Sequence, residues 1–478
     1  MGGHDTSKQN TDFISYQLAE WAANLTYEDL SPEAVQCAKL YLYDSFGCAL
    51  GGSQQHDVEI FLDHARQMGG AETCTVFGSG FKTDPVMAAM LNALCIRAMD
   101  YNDIYWKADP AHPSDIIPAA LSICEMNGLS GKDLILGTCI GHEIEMRLAE
   151  FGDPGVREYG WHHATITCIA SPIVAGRMLG LPADQIQQAI GISASPSMCL
   201  GAVTAGKLTN MKNTVDPMAT RSGVEAALLA ARGYSGPEHV IDGKEGLVHC
   251  FEKFGGAFHL NMLTEDLPTC PKCHWKILDC GMKSFPIEAL SHAPLTAMMK
   301  IVKSNDVNPD DVTEIKVEVI ARAADILGDP AKYRPTSKET ADHSLPYSLA
   351  VGLVDGMVTP LQFKQERIDD PSLIPVMDKI KVVPNEEFEA LFPKFQPSQV
   401  TITLTDGTSF TERVDVPKGD PRDPMTEEEI AVKFNALGTG VVGDAACLDL
   451  RSLIMAMEGE TTLDRLFDLM TACCSCQA

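Results

Sequence analysis

Residues 399–416 read QVTITLTDGTSFTERVDV. Two alternating runs rich in β-branched residues flank Asp406 and Gly407, and an Asp-Gly pair between such runs is a strong hairpin signal. Two more runs of the same kind lie upstream, TEIKVEVIA (313–321) and DKIKVVP (378–384). Between and before them are two apolar helical stretches, HSLPYSLAVGLVDG (343–356) and IEALSHAPLTAMMKIVKSN (287–305). Residues 277–416 therefore read as a small α+β domain with a three- or four-stranded antiparallel sheet.

Working outward, residues 11–256 show almost no period-2 alternation. They form successive amphipathic or apolar helices broken by Gly, Pro and Asn. In SPEAVQCAKLYLYDSFGCAL (31–50) and DPVMAAMLNALCIRAMD (84–100), Ser31-Pro32 and Asp84-Pro85 mark helix starts. GKDLILGTCIGHEIEMRLAEF (131–151), ATITCIASPIVAGRMLG (164–180) and MATRSGVEAALLAARG (218–233) are rich in Ala and Gly, which lets helices approach closely. Helices resume at TEEEIAVKFNAL (426–437) and RSLIMAMEG (451–459). The fold class is mostly α: residues 1–276 form the first part of a large helical domain, 277–416 the α+β domain, and 417–478 rejoin the helices.

The 478 residues are 45% hydrophobic and 21% charged, which is globular composition and excludes a disordered or fibrous chain. With 37 Lys and Arg against 65 Asp and Glu, the formal charge of −28 opposes nucleic acid and anionic membranes as partners. A small anion remains possible if the few cations gather in one pocket. No apolar stretch is long enough to span a bilayer and the N-terminus lacks a signal-peptide pattern, so a cytoplasmic protein is expected. The 16 cysteines are scattered through apolar helices, as reduced thiols are.

Three polar clusters interrupt the apolar helices, where unpaired polar groups are costly. The first, MDYNDIYWKADPAHPSD (99–115), gathers Asp100, Asp103, Tyr105, Lys107, His112, Ser114 and Asp115. In the second, YGWHHAT (159–165), His162 and His163 open a helix, whose N-terminus favours neutral imidazole, the form a general base needs. The third, GKLTNMKNTVDPMATRSG (206–223), offers Lys207, Lys212 and Arg221 to a carboxylate. A fourth motif, CPKCHWKILDC (270–280), spells C-x-x-C-H and could make a zinc site with Cys280. It lacks a second ligand pair, and covalent haem needs an exported context, so reduced thiols in an interdomain linker are the expectation. The C-terminal Cys473, Cys474 and Cys476 read as a tail.

In order, DYND (100–103), HPSD (112–115), GHEIE (141–145), the histidine of GWHH, Lys212 ahead of MATRSG, KSFPIEALSH (283–292) and ETADHSLPYSLAVGLVDG (339–356) resemble the MmgE/PrpD family of 2-methylcitrate dehydratases and cis-aconitate decarboxylases. The resemblance runs from about residue 11 to 440. It implies a helical domain built from both chain ends, a smaller α+β lid, a homodimer, and an active site in the cleft between the domains, with no metal or other cofactor. It places Asp100, His112, His162 and Lys212 in catalysis, and His343 in the lid motif. Glu288 stands where the family's decarboxylases carry histidine, and with Asp115 it is dehydratase-like. Asp103, Lys207, Arg221, Glu288 and His343 are the candidate substrate contacts. The loop around Trp106 and the stretch before Lys212 depart from close methylcitrate dehydratases and mark a divergent branch.

The resulting expectation is a cofactor-independent lyase acting on a small anionic tricarboxylate. Dehydration removes a proton α to a carboxylate and expels a β-hydroxyl, so cations must stabilise a dianionic enolate while an acid protonates the leaving group. Lys212 takes the first role, His112 and His162 share proton transfer, and Asp100 orients an imidazole or raises its pKa. Decarboxylation, epimerisation, or a non-catalytic metabolite-binding role on the same fold are the alternatives.

Overall fold

The computed structural model describes residues 9–205, 208–392 and 394–471. The helix Pro85–Arg97 starts where Asp84 accepts from the N–H groups of Val86 and Met87, both at 3.0 Å. Ser31 caps Pro32–Gly52 through Ala34 N–H, and Ser130 with Asp133 forms a capping box on Gly131–Glu150. Two helices lie at the centre of the helical body. Of Pro85–Arg97, 11 of 13 residues are buried, and of Ala164–Met178, 14 of 15, so these helices are enclosed on every side.

Small residues permit this. A Cβ at Gly52 would lie 1.8 Å from the Cys95 carbonyl oxygen, and one at Gly223 would lie 2.0 Å from Ser171 Oγ. Pro32–Gly52 therefore crosses Pro85–Arg97, and Met211–Ala230 crosses Ala164–Met178, at closer range than any side chain allows.

In the second body, Ser398–Leu404 is the inner strand of the hairpin read from the sequence. It pairs with Ser409–Val414 on one side and Val312–Val319 on the other, both antiparallel, with Val400 opposite Val317 and Ile402 opposite Ile315. Strand Ile380–Pro384 closes the sheet at the other edge. It runs parallel to Val312–Val319, where the sequence reading expected antiparallel pairing throughout. The connection 320–379 includes the helix Leu345–Asp355, and a crossover of that length returns the chain in the same direction. The helix His292–Ser304 covers the sheet.

Buried apolar side chains form two main clusters. One runs from Ile14 to Met282 and resumes from Ile430 to Met470; the other spans Ile287–Val414. We take these as the two domains. The break drawn at residue 276 then moves to between Met282 and Ile287, because Ile277, Cys280 and Met282 pack into the first core. The C-terminal return is anchored by Glu427–Val442 against Pro32–Gly52, with Tyr43 stacked on Phe434 at 4.4 Å and Lys433 paired to buried Asp44 at 2.7 Å. The two crossings between domains run side by side, joined by Met282 N–H to the Gly419 carbonyl at 2.8 Å. No helix among the described residues is long and apolar enough to cross a membrane.

Candidate active site

The carboxylate at the centre of the site belongs to Asp100, just beyond the end of Pro85–Arg97. Its backbone is left-handed (φ 51°), a conformation that strains a residue with a side chain. Three buried cations hold it there: Arg97 Nη1 at 2.6 Å, Lys283 Nζ at 2.7 Å and Lys212 Nζ at 3.1 Å. Burial alone would raise its pKa, yet Lys212, Lys283 and Arg97 together hold the carboxyl well below the usual range. Lys212 also bridges to Asp342 at 3.4 Å, and Asp342 accepts from His343 Nδ1 at 2.6 Å. One charge network thus joins the helical body to the lid.

His112 is oriented by a carbonyl. Its Nδ1 lies 2.7 Å from the Asp103 main-chain oxygen and must donate to it, which leaves Nε2 with its lone pair. Burial, then Arg97 and Lys283, push its pKa well below that of ordinary histidine, so the ring is neutral. Asp100 acts in the expected direction, raising the His112 pKa, but burial and the two cations outweigh it. The Asp103 carboxylate does not face the cavity: it accepts from Ser114 N–H at 2.8 Å and Ser114 Oγ at 2.6 Å, and so fixes the turn that carries His112.

A charged cavity of about 80 Å³ is lined by Arg97, Asp100, His112, Lys212, Lys283, Glu288 and His343, with Trp106, Arg157, His163, Thr204 and Ile326 among the remaining wall residues. Five residues picked from the sequence meet here: Asp100, His112, Lys212, Glu288 and His343. His162 does not. Its Nδ1 accepts from Ala164 N–H at 3.1 Å, turning the ring to the helix start, while its neighbour His163 faces His112 with ring centres 5.4 Å apart and lies 3.4 Å from Asp216. Arg221, on the helix of Lys212, is partly exposed and away from the cavity, and Lys207 lies outside the described residues. A larger cleft of about 610 Å³ adjoins the cavity, sharing Ile104, Trp106, Lys283 and Ala289.

Glu288 accepts from Leu290 N–H at 2.7 Å, and burial raises its pKa despite Lys283 nearby. Lys283, the Leu290 N–H and Arg157 oppose that rise and favour the charged form. Burial and Lys212 push His343 down to about 4. The site thus pairs an imidazole with a free lone pair and a carboxyl whose pKa burial raises, beside two ammonium groups and two guanidiniums.

Sequence reasoning missed Arg97, Lys283 and Asp342, and took His162 rather than its neighbour His163 as the catalytic candidate. Arg97 carried a signal, as the charged residue in an otherwise apolar helix, and Lys283 stood in the quoted motif five residues before Glu288. The cysteine motif does not converge: Cys270 and Cys273 Sγ lie 2.8 Å apart, His274 is exposed and paired to Asp279, and Cys280 turns inward toward Asp103. Three other clusters could hold a metal ion: Asp103–His142–Cys280, His162–His163–Asp216 and Asp100–Asp342–His343. In the last, the Lys212 ammonium already bridges the two carboxylates.

A helical body with a sheet-bearing lid, closing on a cluster of lysines, histidines and carboxylates, matches the MmgE/PrpD N-terminal domain over residues 16–256 and the C-terminal domain over 285–457; the chain belongs to this family. It is 25% identical over 473 residues to a cis-aconitate decarboxylase of Aspergillus terreus, covering 96% of each chain. It is 26% identical over 438 residues to a mitochondrial 2-methylcitrate dehydratase of Yarrowia lipolytica, covering 85% of this chain and 80% of that one. A 2-methylcitrate dehydratase of Salmonella typhi is 24% identical over 431 residues, 86% and 85% of the two chains.

Proposed function

We propose that the protein is a lyase that dehydrates a small hydroxy-tricarboxylate of the 2-methylcitrate type. The observation that carries this is the meeting, in one cavity, of His112, neutral with a free Nε2, and the Glu288 carboxyl, whose pKa burial raises, beside the Lys212 and Lys283 ammonium groups. His112 Nε2 takes the proton α to a carboxylate. The C–H electron pair becomes the new double bond while Lys212 and Lys283 stabilise the negative charge on that carboxylate. The C–O bond breaks as Glu288 protonates the leaving hydroxyl, which departs as water, and the proton on His112 then returns to Glu288. No step asks for a cofactor.

The second reading is decarboxylation of cis-aconitate, favoured by the near-complete alignment with the Aspergillus decarboxylase. It would use the same ammonium groups to hold the carbanion left by carbon dioxide, with a proton delivered to carbon. The cytoplasm and a homodimer complete the proposal; sedimentation checks the dimer.

The test is to incubate metal-free protein separately with 2-methylcitrate, citrate and cis-aconitate and to identify products by mass. An unsaturated tricarboxylate formed from a hydroxy acid supports dehydration. Itaconate from cis-aconitate moves the assignment to the second reading, and no consumption of any of the three rejects both.

A further inference from the structure

The cations of the cavity are matched by carboxylates, with one exception. Lys212 faces Asp100 and Asp342, Lys283 faces Asp100, and Arg97 faces Asp100 with Asp115 and Asp216 at 3.6 and 3.8 Å. Arg157 lines the same cavity, and its guanidinium makes no hydrogen bond or ion pair with any described residue.

Its backbone, by contrast, is fixed. The Asp109 carboxylate accepts from the N–H groups of Val156 and Arg157 at 2.8 and 3.0 Å. A Cβ on Gly155 would lie 2.3 Å from Asp109 Oδ2, so this turn closes on the carboxylate only with glycine there. The Trp106 ring supports the side chain, 5.9 Å from the Arg157 guanidinium carbon and 5.8 Å from that of Arg322, which reaches in from the lid. Of these two guanidiniums, Arg322 is neutralised by Glu158 at 2.6 Å and Arg157 is not. Burial, with Arg322 adding to it, draws the Arg157 pKa below its ordinary value, opposite to Arg97, although Glu288, Asp109 and Glu158 pull it up from beyond ion-pair distance. A guanidinium stays charged through such a shift. With carboxylates near but none in direct contact, its N–H donors at the cavity wall stay open to a ligand's counter-ion.

We propose that Arg157 is the receptor for the substrate carboxylate remote from the reacting bond, gripping it through two parallel N–H donors and so selecting a tricarboxylate over a dicarboxylate. The inference rests on reading the cavity as a carboxylate site. Lys212 and Lys283 hold the reacting end, and Arg157 measures whether a further carboxylate is present. Trp106 and the Asp109-bound turn are positioning groups.

Calorimetric titration with two unreactive probes, tricarballylate and glutarate, tests this independently of turnover. Arg157→Met is expected to weaken tricarballylate binding about 10- to 100-fold while glutarate stays within about 2-fold. Arg157→Lys keeps the charge without the fork and should recover only part of the loss; it decides the matter if the methionine variant does not fold. Unchanged tricarballylate affinity in a folded variant, or a wild type that binds the tricarboxylate no tighter than glutarate, overturns the proposal. A wild type that discriminates between the probes in an Arg157-dependent way, yet turns over none of the three acids, would reject the lyase reading and leave the receptor in place.

Discussion

Replacing Lys212 by Met separates what this lysine does for the fold from what it does for chemistry. The ammonium lies 3.1 Å from Asp100 and 3.4 Å from Asp342. At an effective dielectric near 20 each contact is about 5 kcal/mol of attraction, largely offset by the desolvation of a buried lysine. Its removal leaves the two carboxylates unequal. Asp100 keeps Arg97 at 2.6 Å and Lys283 at 2.7 Å, whereas Asp342 is left with His343 and with Lys338 at 3.8 Å. Part of the loss is recovered by proton uptake on His343, whose pKa of about 4 is held down by burial and then by Lys212.

The net destabilisation of Lys212→Met should be about 3 kcal/mol, the low end for breaking a buried pair. Adding Asp342→Asn removes the stranded charge and should return about 2 kcal/mol of it. Turnover should fall about 1,000-fold in both variants, since neither restores a cation at the developing negative charge. Urea unfolding followed by tryptophan fluorescence reads the stability, and the absorbance of the unsaturated acid reads the rate. Equal stability of the single and double variants would refute the assignment of Asp342 as the dependent partner. Activity regained in the double variant would remove Lys212 from the chemistry.

Three further outcomes follow from the geometry. His292 is buried, and burial followed by Lys283 lowers its pKa to about 3. The unfolded chain therefore takes up this proton near pH 6.5 while the folded protein does not, so the stability advantage of wild type over His292→Gln should shrink by about 2 kcal/mol between pH 6.5 and 4.5 in urea titrations. His163→Gln should lower kcat more than His162→Gln does, by about 10-fold, because His163 lines the cavity and faces the His112 ring; the reverse order would favour His162, the choice made from the sequence. Gly223→Val would drive its side chain into Ser171 and the Pro172 backbone, forcing apart the helices that follow His163 and carry Lys212. Thermal and urea unfolding should show a loss of about 3 kcal/mol, accompanied by reduced turnover.

The helix starts at Ser31 and Asp84, the Asp406-Gly407 hairpin and the cluster around His112 could be read from the sequence because each is a local signal with its own chemistry. The parallel strand 380–384 could not, since alternation gives a strand its faces but not its direction. The choice between His162 and His163 was equally closed: one residue of helix phase decides which ring enters the cavity and which caps the helix. Asp103 was misread because a buried carboxylate that binds a turn looks, in one dimension, like one that binds substrate. Asp342 and Lys283 become part of the site only when the lid folds back over the helical body, a contact between residues more than a hundred positions apart from Asp100. Arg157 has no local signature at all. Its meaning comes from the direct carboxylate contact it lacks, which shows only after every other cation in the cavity has been paired.

The most direct measurement is the initial rate of 2-methylcitrate consumption by metal-free wild-type protein beside a His112→Asn variant of equal thermal midpoint. Steady turnover with release of water by the wild type, and a rate at least about 100-fold lower in the variant, is the expected result. A wild type inert toward 2-methylcitrate, citrate and cis-aconitate alike, or a variant that works at the wild-type rate, would contradict the assignment of this cavity as the site of proton abstraction.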